Sequence, residues 1–234
     1  MFAPGGPTFF ELARQALSST ERGYDLLAPK FDRTPFRTPD ELLQPAVARL
    51  EPAERVLDVC CGTGAALAAL RPIAGRALTG VDFSRGMLAE AAGRGIPGLT
   101  LVRANALAMP FREAFDLATC FGALGHFVGP EEEGLMAAVA RVLKPGGRFA
   151  FLTGTAPPLL SLRSLVARGF NVAMRVRNAL VHPPFVMYYL TFLLPEVLTK
   201  LSRQGFDAEV VDPGYPPPFQ HARLVVATRR RMRA

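Results

Sequence analysis

A chain of 234 residues, half of them apolar, can bury one large core, and that composition excludes global disorder. Its net charge of +7 is unevenly spread: no Asp or Glu falls between Gly134 and Pro195, whereas Arg141, Lys144, Arg148, Arg163, Arg168, Arg175 and Arg177 all do. Such a run reads as a solvated face near an anionic ligand or lipid surface; nucleic-acid binding would need aromatic platforms interleaved with the charge, and none are seen.

From Thr8 to Leu50 the chain reads as helices broken by Pro29, Pro35, Pro39 and Pro45. Phe10, Leu12, Ala13 and Leu17 make one apolar stripe. Thr38 is placed to cap a helix that opens with Pro39 and runs to Leu50. The first residues, Met1 to Pro7, hold no basic segment followed by an apolar run, so no signal peptide is expected.

Short apolar runs then alternate with helical patterns, as in βαβ units. Strands are expected at Arg55 to Cys60, Ala77 to Val81, Leu99 to Arg103, Phe115 to Cys120 and Gly147 to Thr153. Helices are expected from the turn at Gly62, after a Ser84 cap, and from Glu131 to Leu143, where Lys144-Pro-Gly-Gly147 stops the helix and leads into the fifth strand. After an interruption, Pro195 to Arg203 reads as helix, and Phe206 to Val211 and His221 to Thr228 as strands. The tail from Arg229 to Arg233 reads as a frayed, solvated terminus. Cys60, Cys61 and Cys120, two of them adjacent, make no disulfide framework and point to a reducing compartment, the cytoplasm.

The interruption, residues 155–194, has its own pattern. Ser164, Arg168, Asn171, Arg175 and Asn178 recur at spacings of four, three, four and three; Leu159, Leu162, Val166, Phe170, Ala173, Val176 and Leu180 follow another face. This is an amphipathic helix. Pro183-Pro184 and the uncharged run Phe185 to Leu194 come next. The stretch from Asn178 to Pro195 approaches a membrane span in length, but the two prolines would break a helix at its middle. The composition suggests a lid with an apolar, aromatic underside, its arginine stripe in solvent or resting on anionic lipid.

Chemistry enters at Val56-Leu-Asp-Val-Cys-Cys-Gly-Thr-Gly64. A buried strand ends and a helix begins, with Gly62 and Gly64 permitting a tight turn and close backbone approach to a ligand. Asp82 follows at the end of the next strand, where ribose hydroxyls would be met. The spacing fits a nicotinamide dinucleotide as well as S-adenosylmethionine. Two details oppose the dinucleotide: the G-x-G-x-x-G register fails at Cys60 and Ala65, and Asp58 would repel a pyrophosphate. A carboxylate there suits a ligand with an ammonium and a sulfonium.

With that turn in place, a resemblance becomes plain. Val56 to Gly64 resembles the first motif of class I S-adenosylmethionine-dependent methyltransferases, with Cys60 where the first glycine usually stands, a variant also found in the ubiquinone/menaquinone C-methyltransferase family. Gly80-Val-Asp-Phe-Ser-Arg-Gly-Met87 resembles the second motif, Arg103 to Phe111 the third with Asn105 in place of the commoner Asp, Phe115 to Gly122 the fourth, and Arg141 to Phe149 the turn into the fifth strand. The resemblance implies an α/β, Rossmann-like seven-stranded sheet with its last strand antiparallel. It implies an N-terminal helical segment (1–50) over the cofactor, a methyltransferase domain (51–154 and 195–234) and a helical lid insertion (155–194). S-adenosylmethionine would be the cofactor and S-adenosylhomocysteine the product. Tyr24, Asp58, Cys60, Gly62, Thr63, Gly64, Asp82, Phe83, Met87, Asn105, Ala106 and Phe121 would form its site, with no metal.

The acceptor belongs beyond the strand ends, near the loop after the fourth strand. His126 in that loop is the best-placed base, although a histidine there also serves simply by packing; His182, Tyr188 and Tyr189 are weaker candidates. His182-Pro-Pro-Phe185 matches the amino-group nucleic-acid methyltransferase motif only superficially, since it lies after the fifth strand. The expected acceptor is therefore an apolar small molecule (a quinone, a polyketide-like product or a lipid), without nucleic acid, and with peripheral membrane contact through the insertion. An RNA or protein methyltransferase, or a non-catalytic cofactor-binding module, are the alternatives.

Overall fold

The computed structural model describes residues 4–231; Met1 to Ala3 of the segment read for a leader, and Met232 and Arg233 of the basic tail, lie outside them. Seven strands, β1 (Ala53–Val59), β2 (Ala74–Asp82), β3 (Leu99–Arg103), β4 (Phe115–Cys120), β5 (Leu143–Gly154), β6 (Phe206–Val211) and β7 (Ala222–Arg229), form one sheet in the order β3-β2-β1-β4-β5-β7-β6. β1 to β5 are parallel, and β7 runs antiparallel to both β5 and β6. The order reverses between β1 and β4, which leaves a crevice beyond their carboxyl ends.

Eight α-helices are described: α1 (Phe9–Ala16), α2 (Thr20–Leu27), α3 (Asp40–Val47), α4 (Ala65–Leu70), α5 (Arg85–Gly93), α6 (Pro130–Val142), α7 (Leu162–Leu180) and α8 (Glu196–Arg203). The near-continuous apolar runs of the central strands follow from burial on both faces. Leu57, Phe149 and Phe151 pack with α6 and α8 on one side; Val56, Leu78 and Leu117 pack with α3 and α4 on the other. α6 combines Pro130 at its first position, three glutamates in its first turn and Arg141 in its last, each suited to the helix dipole.

Three local expectations are corrected. Pro39, not Thr38, is the N-cap of α3, and no side chain bonds that helix start. Lys144-Pro-Gly-Gly147 does not precede β5 but lies within it: Leu143 already pairs with Phe115, and Arg148 resumes the pairing with Leu117, so residues 144–147 form a bulge. The third concerns α7, where Ser164, Asn171 and Asn178 of the polar stripe face the protein while its Arg168 and Arg175 stay exposed. Ser164 is fully buried, Asn171 bonds the Tyr189 backbone in both directions at 2.8 Å, and Asn178 does the same with Phe185. Its apolar stripe faces outward, with Leu162, Val166 and Val176 exposed. Only Phe170 turns in, edge-on to Tyr189 at 4.9 Å. The helix ends before His182, and residues 185–194 run without regular helix. Phe192 from that run is buried against Phe151, 6.1 Å between ring centres, so this segment belongs to the core as well as to the crevice.

Candidate functional site

β1 ends in a turn that puts alternate residues into left-handed backbone. Cys60, Gly62 and Gly64 have φ of 56°, 53° and 85°. For Cys60 this conformation is costly, since it carries the Cβ that glycine lacks. Around Gly62 an added Cβ would meet nothing within 4 Å, so the turn faces open space; at Gly64 it would meet Ala91 and Arg94 at 3.2 Å, so that glycine serves helix packing. The open space is a cavity of about 1030 Å³, at the upper end of small-molecule sites and roomy enough for two ligands side by side.

Cys60, Gly62, Thr63, Asp82, Phe83 and Met87 line one part of it, with Asn105, Ala106 and Phe121 beside them. Tyr24 and His126 line it as well. Gly64 and Asp58 do not; they lie behind the wall. Asp58 is buried in β1 and accepts a 2.7 Å hydrogen bond from the Thr119 hydroxyl, and burial pushes its carboxyl up to about 7. Asp82 accepts hydrogen bonds from the backbone N–H groups of Gly62 and Ser84, both at 2.9 Å, which clasps the glycine turn to the start of α5. Burial raises its pKa too, against those stabilising bonds. Asn105 spends its side-chain oxygen on the Leu107 N–H at 2.9 Å and keeps its amide hydrogens for the cavity. The neighbouring Cys120 thiol, as a hydrogen-bond partner, and burial push the pKa of the Cys60 thiol up.

Several residues that sequence reasoning passed over fix the site. Asp25 accepts bonds from the Ser84 hydroxyl at 2.6 Å and the Gly86 N–H at 2.8 Å, which ties α2 to the start of α5. Asp32 accepts from the Thr63 hydroxyl at 2.5 Å and pairs with Arg94, whose side chain also bonds the Thr63 carbonyl. The N-terminal segment is thereby pinned to the glycine turn. The only available signal was the adjacency of Asp25 to Tyr24; nothing local marks Asp32.

Opposite the glycine turn stand Phe31, Phe36 and residues 186–191, including Tyr188 and Tyr189. Here the Tyr24 hydroxyl lies 2.8 Å from His126 Nε2, and His126 Nδ1 bonds the Val186 carbonyl. Phe185 stacks on Tyr24 at 6.0 Å. His182 and His221 are exposed and outside the cavity. α7 itself contributes no lining residue; its inner face supports the 185–189 backbone from behind.

Residues 56–147 match the sequence model of a family described as a methyltransferase domain. The demethylmenaquinone methyltransferase of Clavibacter sepedonicus is 34% identical over 162 residues, 65% of this chain and 63% of that protein. The enzyme of the same name from Bacillus licheniformis is 33% identical over 137 residues, 56% of this chain and 58% of it. The chain thus matches about three fifths of the length of these relatives. A solved DhpI–SAH complex superposes with a TM-score of 0.67 at 19% identity, covering 97% of this chain and 100% of that one. An O-methyltransferase family protein from Burkholderia thailandensis superposes at 0.64 and 18% identity, covering 91% and 61%; at such identities the likeness shows the fold.

Residues 56–147 thus form a methyltransferase domain of the class I, S-adenosylmethionine-dependent kind.

The cavity fits that domain's cofactor on two independent observations. Nothing occupies the approach to Gly62, where a ligand's backbone contacts would be made. Asp82 stands at the wall and Asp58 behind it, both buried with raised pKa values and with no cationic side chain bonded to either among the described residues, so a cationic ligand in the cavity would favour their charged forms. Among the described residues there is no cluster of three potential metal ligands.

Proposed function

We propose that this methyltransferase domain transfers a methyl group to an apolar small molecule carrying an acidic hydroxyl, of the quinol kind that the relatives' name implies. Bound S-adenosylmethionine would supply the electrophilic methyl. Asp82 would hold the ribose, the open face of Gly62 and Thr63 the amino-acid end, and Asn105, Ala106 and Met87 the adenine. Phe83 and Phe121 would pack beside it.

The observation that carries the reading is the Tyr24–His126 pair at the aromatic end of the cavity. A carbonyl oxygen only accepts, so the Val186 bond places the hydrogen on His126 Nδ1 and leaves Nε2 bare. The Tyr24 hydroxyl therefore donates to Nε2. A proton leaving an acceptor hydroxyl enters at the Tyr24 oxygen as the Tyr24 proton passes to Nε2, which yields an electron-rich acceptor and a buried imidazolium. Phe31, Phe36, Tyr188 and Tyr189 desolvate the acceptor ring and exclude competing water.

The test is methyl transfer from labelled S-adenosylmethionine to reduced naphthoquinones with and without a prenyl chain, alongside bulk RNA, DNA and unfractionated protein across a salt series. Transfer to the quinols supports the proposal. Label entering RNA or protein instead, with salt-dependent binding, would install the macromolecular alternative; cofactor binding with no transfer to any acceptor would leave a binding module.

A further inference from the structure

An exposed apolar surface follows from the inverted orientation of α7. Leu162, Leu165, Val166, Val172, Val176 and Leu180 are each between 53 and 77% exposed, and they recur at helical spacing along 19 residues, about 28 Å. Leu160, just before the helix, is 90% exposed. α1 behaves the same way: Gln15 is buried, whereas Phe9 and Phe10 are 78 and 82% exposed. Arg177 joins the two elements, donating to the carbonyls of Ala16 and Ser18, which brings exposed Leu17 to the end of α7 that carries Val176 and Leu180. Monomeric proteins seldom leave so many large apolar side chains in water on neighbouring elements.

Charge decides what covers this surface. Arg163, Arg168 and Arg175 are exposed on α7, none has an acidic partner among the described residues, and no Asp or Glu lies between 134 and 195. A second copy seated on the same face would bring the arginine rows together with no counter-charge. An anionic lipid surface matches both features at once, since apolar side chains enter the acyl boundary while arginines meet headgroup phosphates. We propose that the outer face of α7, with the exposed end of α1, is a docking surface for an anionic lipid bilayer.

The location has a consequence for the site. The inner face of α7 holds residues 185–189 through Asn171 and Asn178, and residues 186–189 wall the aromatic end of the cavity. A docked chain therefore has only one helix between the membrane and the acceptor end of its cavity. That advantage rests on the proposed acceptor class; the docking does not, and vesicle binding reads it without any methyl transfer.

The experiment is co-sedimentation of the full chain with vesicles of phosphatidylcholine alone and of phosphatidylcholine with phosphatidylglycerol, paired with sedimentation equilibrium in their absence. The chain is expected to bind the anionic vesicles and to remain monomeric without them. Leu165→Glu combined with Val172→Glu should lower vesicle binding at least about tenfold. Arg175→Gln should lower it about fivefold on anionic vesicles only. Both variants should keep the wild-type circular dichroism spectrum and cofactor affinity, because none of the three positions is buried. Absence of binding to anionic vesicles, binding unchanged in the double variant, or a concentration-dependent dimer that the double variant dissolves would each overturn the proposal.

Discussion

At His126 the proton inventory is fixed by partners rather than by solvent. Burial lowers its pKa below 6.5, opposed in part by the Val186 carbonyl, so the ring is neutral at pH 7 with its free lone pair toward Tyr24. The sign of the pH dependence follows: with the neutral ring as the proposed base, kcat should be flat at neutral pH and fall only as pH drops through a value below 6.5. An acid limb centred above 6.5 in a pH–rate profile would exclude His126 as the base. Tyr24→Phe and His126→Ala should each lower kcat by about a hundredfold or more while leaving cofactor affinity within a factor of about two, measured by calorimetry beside steady-state rates. Asp58 gives a second residue-scale prediction. Its folded pKa of about 7 exceeds the ordinary 3.8, so between those values the folded chain keeps a proton that the unfolded chain has lost. Stability of the ligand-free protein should therefore fall as pH rises from 4 to 7, by on the order of 1–4 kcal/mol, and remain low above 7. Asp58→Asn, which keeps an acceptor for Thr119, should flatten that slope; denaturant titrations of both proteins across this range decide it.

Among the elements, β3, β4 and β6 occupy the spans expected from their apolar runs, because each is bounded by residues that end a strand locally. β5 was shorter in the sequence than in the structure, since a bulge at 144–147 looks like a turn until its pairing with β4 is seen. The amphipathic period of α7 was also legible, as two opposite faces; which face meets the protein was not. Hydrophobicity assigns the apolar face inward, but Asn171 and Asn178 find carbonyl and N–H partners in residues 185 and 189, a pairing with no local signature. The glycine turn and Asp82 were legible from spacing and Asn105 from the resemblance, as residues that line the cavity, whereas Asp25 and Asp32 act across more than thirty residues. Residues 186–191 are held to the loop after β4 by the Tyr188 N–H bond to the Gly125 carbonyl at 2.8 Å. A Cβ on Gly125 would sit 2.5 Å from the Tyr188 carbonyl oxygen, and a backbone atom cannot swing aside as a side chain would. Gly125→Ala should therefore push Tyr188 and Tyr189 out of place and raise the KM of the acceptor about tenfold or more, with cofactor affinity nearly unchanged. Equal losses in both affinities would show that the two ends of the cavity are one mechanical unit.

For the whole molecule, the cavity is a junction between parts of the chain that are distant in sequence. Residues 20–43 close it from the N-terminal side, the ends of β1, β2 and β3 form its floor, and residues 186–191 close the far end. The N-terminal segment is fastened to the sheet mainly through Asp25 and Asp32, the latter half-exposed and paired with Arg94 and Arg37 at the surface, where ion pairs contribute little. A ligand that spans the cavity adds contacts to every one of these parts and is lost when any of them opens. Cofactor at about a hundred times its dissociation constant should add about 2.7 kcal/mol, raising the melting temperature by about 5–10 °C in a single transition. Amide exchange should slow in residues 20–38 as well as in the glycine turn, because opening of the N-terminal segment would then expose the bound ligand. Asp82→Ala should reduce both effects, since it removes the clasp between Gly62 and Ser84 along with the proposed ribose contact. Protection confined to the glycine turn, with residues 20–38 exchanging at their ligand-free rate, would show instead that the N-terminal segment packs beside the cofactor without covering it.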